Sequence, residues 1–101
     1  MIAVRFANSK LEKAYQNASI RQKLWGEPAA RKYVERINAL QNVSDVLEFA
    51  KSFPQYRDHA LVGDKKHLRA FTLHDRWRIE YEADQDGKGV TIRGVSMHYG
   101  D

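Results

Sequence analysis

Hydrophobic positions follow a helical period through the first half of the chain and a two-residue period through the second, and the change falls at Pro54. The opening stretch IAVRFA alternates, with Ile2, Val4 and Phe6 on one side, and predicts a short strand. Ser9 then begins SKLE, a capping-box pattern in which the serine hydroxyl accepts from the third helical position and Glu12 reaches back. Leu11 and Tyr15, four apart, give that short helix its buried face and QNAS ends it. The segment IRQKLWGEP carries no clear period; Trp25 is expected to pack and Gly26 to break the chain. Pro28 suits the first turn of the next helix, where its missing N–H is not needed. Across AARKYVERINALQNV, the residues Ala30, Tyr33, Val34, Ile37 and Leu40 form an amphipathic stripe, with Arg31, Lys32, Glu35 and Arg36 on the opposite, solvated face. Ser44 is placed to cap one more helical turn, SDVLEFAKSF, which Pro54 terminates.

Beyond Pro54, LRAFTLH and WRIEYEA read as two strands joined tightly through DR, and DQDGKG is a turn leading into the last strand, VTIRGVSMHY. The inner set of that last strand begins as Val90 and Ile92 and continues as Val95, Met97 and Tyr99; a bulge at Gly94 accounts for the change of phase. The predicted fold is therefore a single α+β domain: an N-terminal strand, two or three helices, then a three-stranded antiparallel meander with the helices on one sheet face. Phe71, Leu73, Trp77, Ile79 and Tyr81 belong to the covered face. Ala70, Thr72, Arg78 and Glu80 line the open one.

Composition changes this picture in one respect. A chain of 101 residues with 43% hydrophobic and 30% charged residues is an ordinary small globular domain. The N-terminal apolar run is too short for a signal peptide, no stretch approaches a membrane span, and the absence of cysteine leaves neither disulfides nor thiolate chemistry, so a cytoplasmic location without membrane attachment is expected. The net charge of +4 is modest, but six Lys/Arg against three Asp fall between Arg57 and Arg78, along with His59, His67 and His74. Such a concentration suits a polyanionic partner such as an RNA backbone, although a merely solvated hairpin face has the same composition. The histidines lack the spacing of a metal site, and His67 and His74 read as solvated loop residues.

The run FPQYRDHALVGDKKHLRAFTLHDRWRIEYE resembles the core signature of HigB-type toxins of the RelE/ParE superfamily, from type II toxin–antitoxin (plasmid maintenance) systems. Arg57, His59, Leu61, Gly63, Asp64, Trp77, Arg78 and Ile79 match its pattern without a gap, and Tyr81 stands in its aromatic position. The strand–helix–meander order fits along nearly the whole chain. The resemblance implies a RelE-like fold and a ribosome-dependent endoribonuclease, an mRNA interferase, that inhibits translation. It further implies silencing by a cognate antitoxin, a HigA-like DNA-binding protein. Two other functions compete with this one: that of a gyrase-poisoning relative with the same fold but without nuclease residues, and that of a basic RNA-binding module without catalysis.

Cleaving RNA through its own 2′-OH needs a base for that proton, an acid for the departing 5′ oxygen, and a cation for the charge gathering on the phosphorus; no metal or cofactor is required. Arg78, permanently charged and able to grip two phosphate oxygens, suits the last role, against the alternative of a plain ion pair with Glu80 or Asp75. His59 suits the base or the acid. Arg57, Lys65, Lys66, Arg69 and Arg76 form the candidate RNA-binding set. Two departures from the family pattern stand out. Val62 occupies a position usually held by Lys, leaving Lys65 or Lys66 to supply that charge. The usual terminal Asp-Tyr-His is replaced by SMHYGD: one alignment matches Tyr99 with the family Tyr and His98 with its Asp, while a shift by one matches His98 with the family His and loses the Tyr. The first, which keeps an aromatic able to stack on a base, is preferred, and His98 and Tyr99 join the candidate catalytic set.

Overall fold

A computed structural model describes residues 1–97, so that His98 and Tyr99 lie outside the described residues. Strand β1 (Ala3–Phe6) leads into helix α1 (Ser9–Gln16), whose cap is Asn8 rather than Ser9: the Asn8 carboxamide accepts from Leu11 N at 3.0 Å. Extended backbone at Asn8 aims its side chain at the first helical turn, which moves the expected cap back by one residue. Asn17 closes α1 and caps α2 (Ala18–Trp25), accepting from Ile20 N at 3.1 Å. The aperiodic segment is thus a helix in its own right. It buries little besides Trp25, which is why it shows no stripe.

Gly26, at φ 80°, adopts a conformation that other residues reach only with strain and separates α2 from α3 (Glu27–Gln41). The expected stripe of α3 is buried at Ala30, Tyr33, Ile37 and Leu40. Arg36 departs from expectation, for it is buried, its guanidinium 4.3 Å from the Tyr56 ring centroid and its Nη1 bonded to the Thr72 carbonyl. A long stem let a charged residue join the apolar side and carry its head to a carbonyl on the sheet. Helix α4 (Val46–Ser52) is capped by Asp45, which accepts from Glu48 N at 2.8 Å, while Ser44 donates its N–H to the Glu48 carboxylate at 2.7 Å.

After a turn at Pro54–Tyr56 come a two-residue strand, β2 (His59–Ala60), a turn at Gly63–Lys65, and strands β3 (Arg69–Thr72), β4 (Trp77–Ala83) and β5 (Gly89–Met97). The sheet order is β1-β5-β4-β3-β2, with β1 parallel to β5 and every other pair antiparallel. The α+β architecture holds, with four helices in place of two or three and a fifth, very short edge strand. The β3–β4 connection is His74–Arg76 rather than a two-residue link; Asp75 takes φ 55°, and Leu73 N bonds Trp77 O at 2.8 Å. The phase change of β5 is present: Glu80 pairs with Gly94 and Tyr81 with Ile92, leaving Arg93 as the extra residue. That bulge keeps Val90, Ile92 and Val95 on the core side.

The core lies between the helices and this face. Phe71 lies between Phe49, met edge-on at 5.2 Å between centroids, and the tilted ring of Tyr81 at 5.6 Å, and the buried Tyr33 hydroxyl donates to Leu11 O at 2.8 Å. Burying each such side chain contributes about 1.5–3 kcal/mol. No helix among the described residues is long and apolar enough to cross a membrane.

Candidate nucleic-acid interface

Strand register decides which candidate residues share a face, because residues paired directly across strands project to the same side. Two adjacent rows run across the sheet. One is His59–Ala70–Glu80–Gly94, the other Thr72–Arg78–Ser96. His59 and Arg78 therefore lie on one face, opposite the helices, as the alternation predicts for Arg78. Two strand spacings, about 10 Å in all, separate His59 from β4, with only the methyl group of Ala70 in its row between.

That face is not open throughout. Ala70 is fully buried and Glu80 is 6% exposed. The Gly63–Lys65 turn folds over it and brings Lys65 Nζ to Glu80 Oε1 at 3.2 Å. Arg78 donates Nε and Nη2 to Glu80 Oε2 at 3.1 and 2.8 Å, so Glu80, two residues along the same strand, is an ion-pair partner of Arg78. Ser96 Oγ also donates to that oxygen at 3.1 Å, and Lys65 Nζ lies 3.3 Å from it. Burial alone would raise the Glu80 carboxyl, but hydrogen bonds from Lys65, Arg78 and Ser96 outweigh it and hold the group below the usual carboxylate range.

His59 is exposed, and its Nδ1 lies 2.8 Å from the carbonyl of Arg57. A carbonyl only accepts, so this bond places the proton on Nδ1 and leaves the lone pair of the neutral ring on Nε2. The geometry depends on Arg57, which takes a left-handed φ of 60° at the end of the preceding turn and turns its carbonyl back toward the ring. The Arg57 side chain is exposed, as is Lys66 beside Lys65; Arg76 is exposed on the β3–β4 loop.

Arg69 stands apart from this group. It pairs with Tyr81 on the helix-covered face, where its Nε and Nη2 donate to Asp58 Oδ2 at 3.1 and 2.9 Å, and the Tyr81 hydroxyl donates to Asp58 Oδ1 at 2.7 Å. The Asp58 side chain is 1% exposed. Burial and the Asp58 carboxylate push the Tyr81 hydroxyl far above its ordinary value. Arg69 is thus built into a clasp that ties the segment before β2 to β3 and β4.

The sequence pattern offered Glu80 only as an alternative ion-pair partner for Arg78 and did not single out Ser96 or Asp58. The signal for Glu80 was present in the alternation Arg78-x-Glu80, which puts both on one face of a strand; Ser96 required the bulged register of β5, and Asp58 a contact eleven residues distant in sequence. Among the described residues, no group of His, Asp and Glu is placed to hold a metal ion.

No protein-family model and no curated protein sequence matches the chain. Solved structures with the same fold include a YoeB/ParE toxin from Agrobacterium tumefaciens, at 18% identity and a TM-score of 0.57 over 97% of this chain and 100% of that one. A copper-bound mutant toxin from Helicobacter pylori aligns at 14% identity and a TM-score of 0.56, over 97% and 96% of the two chains. A mutant of YafQ from E. coli aligns at 15% identity and a TM-score of 0.50, over 97% and 94%. The likeness extends along both chains in each case and is one of fold.

Proposed function

We propose that this protein is the toxin of a type II toxin–antitoxin system, of the HigB kind within the RelE/ParE superfamily, and acts as a ribosome-dependent endoribonuclease. The single observation that carries the reading is the placement of His59 and Arg78 on one sheet face, with Lys65 folded onto that face from the neighbouring turn. The toxin fold shared with the solved structures supports the class.

In this reading a single-stranded message lies across the two rows, and Arg78 meets the charge that builds on the scissile phosphorus. His59, with its lone pair on Nε2, takes the 2′ proton as attack by that oxygen forms the cyclic phosphate and expels the 5′ oxygen. Protonation of the 5′ oxygen falls to the terminal pair His98 and Tyr99, outside the described residues. Arg57, Lys65, Lys66 and Arg76 hold the RNA backbone, with Lys65 or Lys66 supplying the charge absent at Val62. The partners are mRNA in the decoding site and a cognate HigA-like antitoxin, and the site of action is the cytoplasm.

The decisive experiment is induction in bacteria followed by mapping of mRNA ends on translating ribosomes. Codon-phased cleavage that disappears with Arg78→Ala is the expected result. Growth arrest with intact mRNA and accumulating double-strand DNA breaks would assign the protein to gyrase poisoning instead. A folded protein without toxicity would make it a binding module.

A further inference from the structure

The donors around Glu80 form an unusual set for a single carboxylate. Its side chain is 8% exposed, and it receives two nitrogens of Arg78, the ammonium of Lys65 and the hydroxyl of Ser96. An arginine fork, a lysine point charge and a hydroxyl converging on one pair of oxygens is the donor chemistry with which proteins hold a phosphate group. Among the described residues that meet there, two cations stand against one acid. Lys65 reaches in from a turn and remains half exposed, so its grip is exchangeable. In its own row Glu80 has only Ala70 and Gly94 beside it, and a methyl group built on Gly94 would meet no atom within 4 Å. The carboxylate therefore has room to move on its Gly94 side.

We infer that Lys65, Arg78 and Ser96 form a phosphate cradle and that Glu80 is its resident stand-in, occupying it in the free protein and swinging toward Gly94 when a backbone phosphate docks. The carboxylate pre-aims Arg78 and Lys65 and competes with loosely bound anions, so that only a phosphate anchored by further contacts displaces it. The RNA-backbone identity of that phosphate rests on the proposed ribonuclease function; the cradle itself does not.

Glu80→Gln, which keeps the shape and one acceptor but removes the charge, tests this by titration with inorganic phosphate in a calorimeter. The variant is expected to bind phosphate on the order of a hundredfold more tightly than the parent, the effect of removing one charge about 6 Å from a bound anion near a protein surface. Adding Arg78→Ala to it abolishes the gain. A folded Glu80→Gln protein with no gain in phosphate affinity overturns the inference and leaves Glu80 a structural ion-pair partner. If the variant does not fold, the parent protein reports instead: phosphate must shift the NMR signal of the Arg78 Nε–H, and an unmoved signal refutes the cradle. A second titration uses a 2′-O-methyl oligoribonucleotide, which has no free 2′-OH to attack. A gain for phosphate without one for the oligonucleotide upholds the cradle while removing support for RNA as its ligand, so the two ideas fail separately.

Discussion

Asp58→Ala removes the centre of the clasp beneath the candidate site and offers a direct measure of what holds β2 in place. The Asp58 side chain is 1% exposed and accepts from Arg69 at 3.1 and 2.9 Å and from the Tyr81 hydroxyl at 2.7 Å. Breaking a buried pair by deleting one partner costs about 3–5 kcal/mol, because the surviving charge is left without compensation. Arg69 is one-third exposed and can recover part of that loss from water, which puts the ion-pair share below that range, at about 2 kcal/mol. The stranded Tyr81 hydroxyl adds about 1 kcal/mol. The sum, about 3 kcal/mol, corresponds to a fall in Tm of roughly 15 °C for a domain of this size. Thermal and urea unfolding followed by circular dichroism measure it. A double-mutant cycle with Arg69→Met separates the pair from its surroundings: the double variant should lose clearly less than the two single losses added together. A loss below about 1 kcal/mol for Asp58→Ala, or strict additivity in the cycle, would show that the clasp does not carry the stability argued for it.

Three further outcomes follow from the same geometry. The folded-state pKa of Glu80 is depressed, so its contribution to stability is complete above the unfolded carboxyl value near about 4.3 and fades as the pH falls through the lower folded value. Glu80→Gln should therefore show a shallower loss of stability than the parent between neutral and strongly acidic pH, measured by urea midpoints across that range; parallel curves would contradict the assignment. Gly87→Ala places a side chain at φ 72° in the turn before β5 and should cost about 1 kcal/mol, read from the shift in urea midpoint, whereas an unchanged midpoint would mean the turn relaxes without strain. His59→Ala should reduce cleavage of ribosome-bound message by about 10²- to 10⁴-fold with little change in oligonucleotide affinity, and loss of both together would make His59 a binding residue.

How far the site was legible in the sequence depends on the range of the contacts that build it. Period-two alternation is a local property of β3 and β4, and it correctly separates Phe71, Ile79 and Tyr81 from Ala70, Arg78 and Glu80. The glycine in β5 announces its bulge for the same reason, since the change in side-chain phase is written along a single strand. The histidine and the lysines posed a different problem. His59 joins the Arg78 face only through pairing with Ala70, and Lys65 only because its turn closes over Glu80, fifteen residues away.

Taken alone, the sequence determined what local periodicity and chain chemistry can determine: the α+β order, the stripe of α3, the face on which Arg78 lies, and a cluster of cations suited to an anionic partner. Tertiary structure decided how those cations are employed. It drew Arg69 into a clasp with Asp58, sent Arg36 through the core to the Thr72 carbonyl, and set Glu80 among Lys65, Arg78 and Ser96. The physical reason is that a charge's partner is chosen by desolvation and proximity in three dimensions, and neither quantity exists until the strands have paired and the turns have closed.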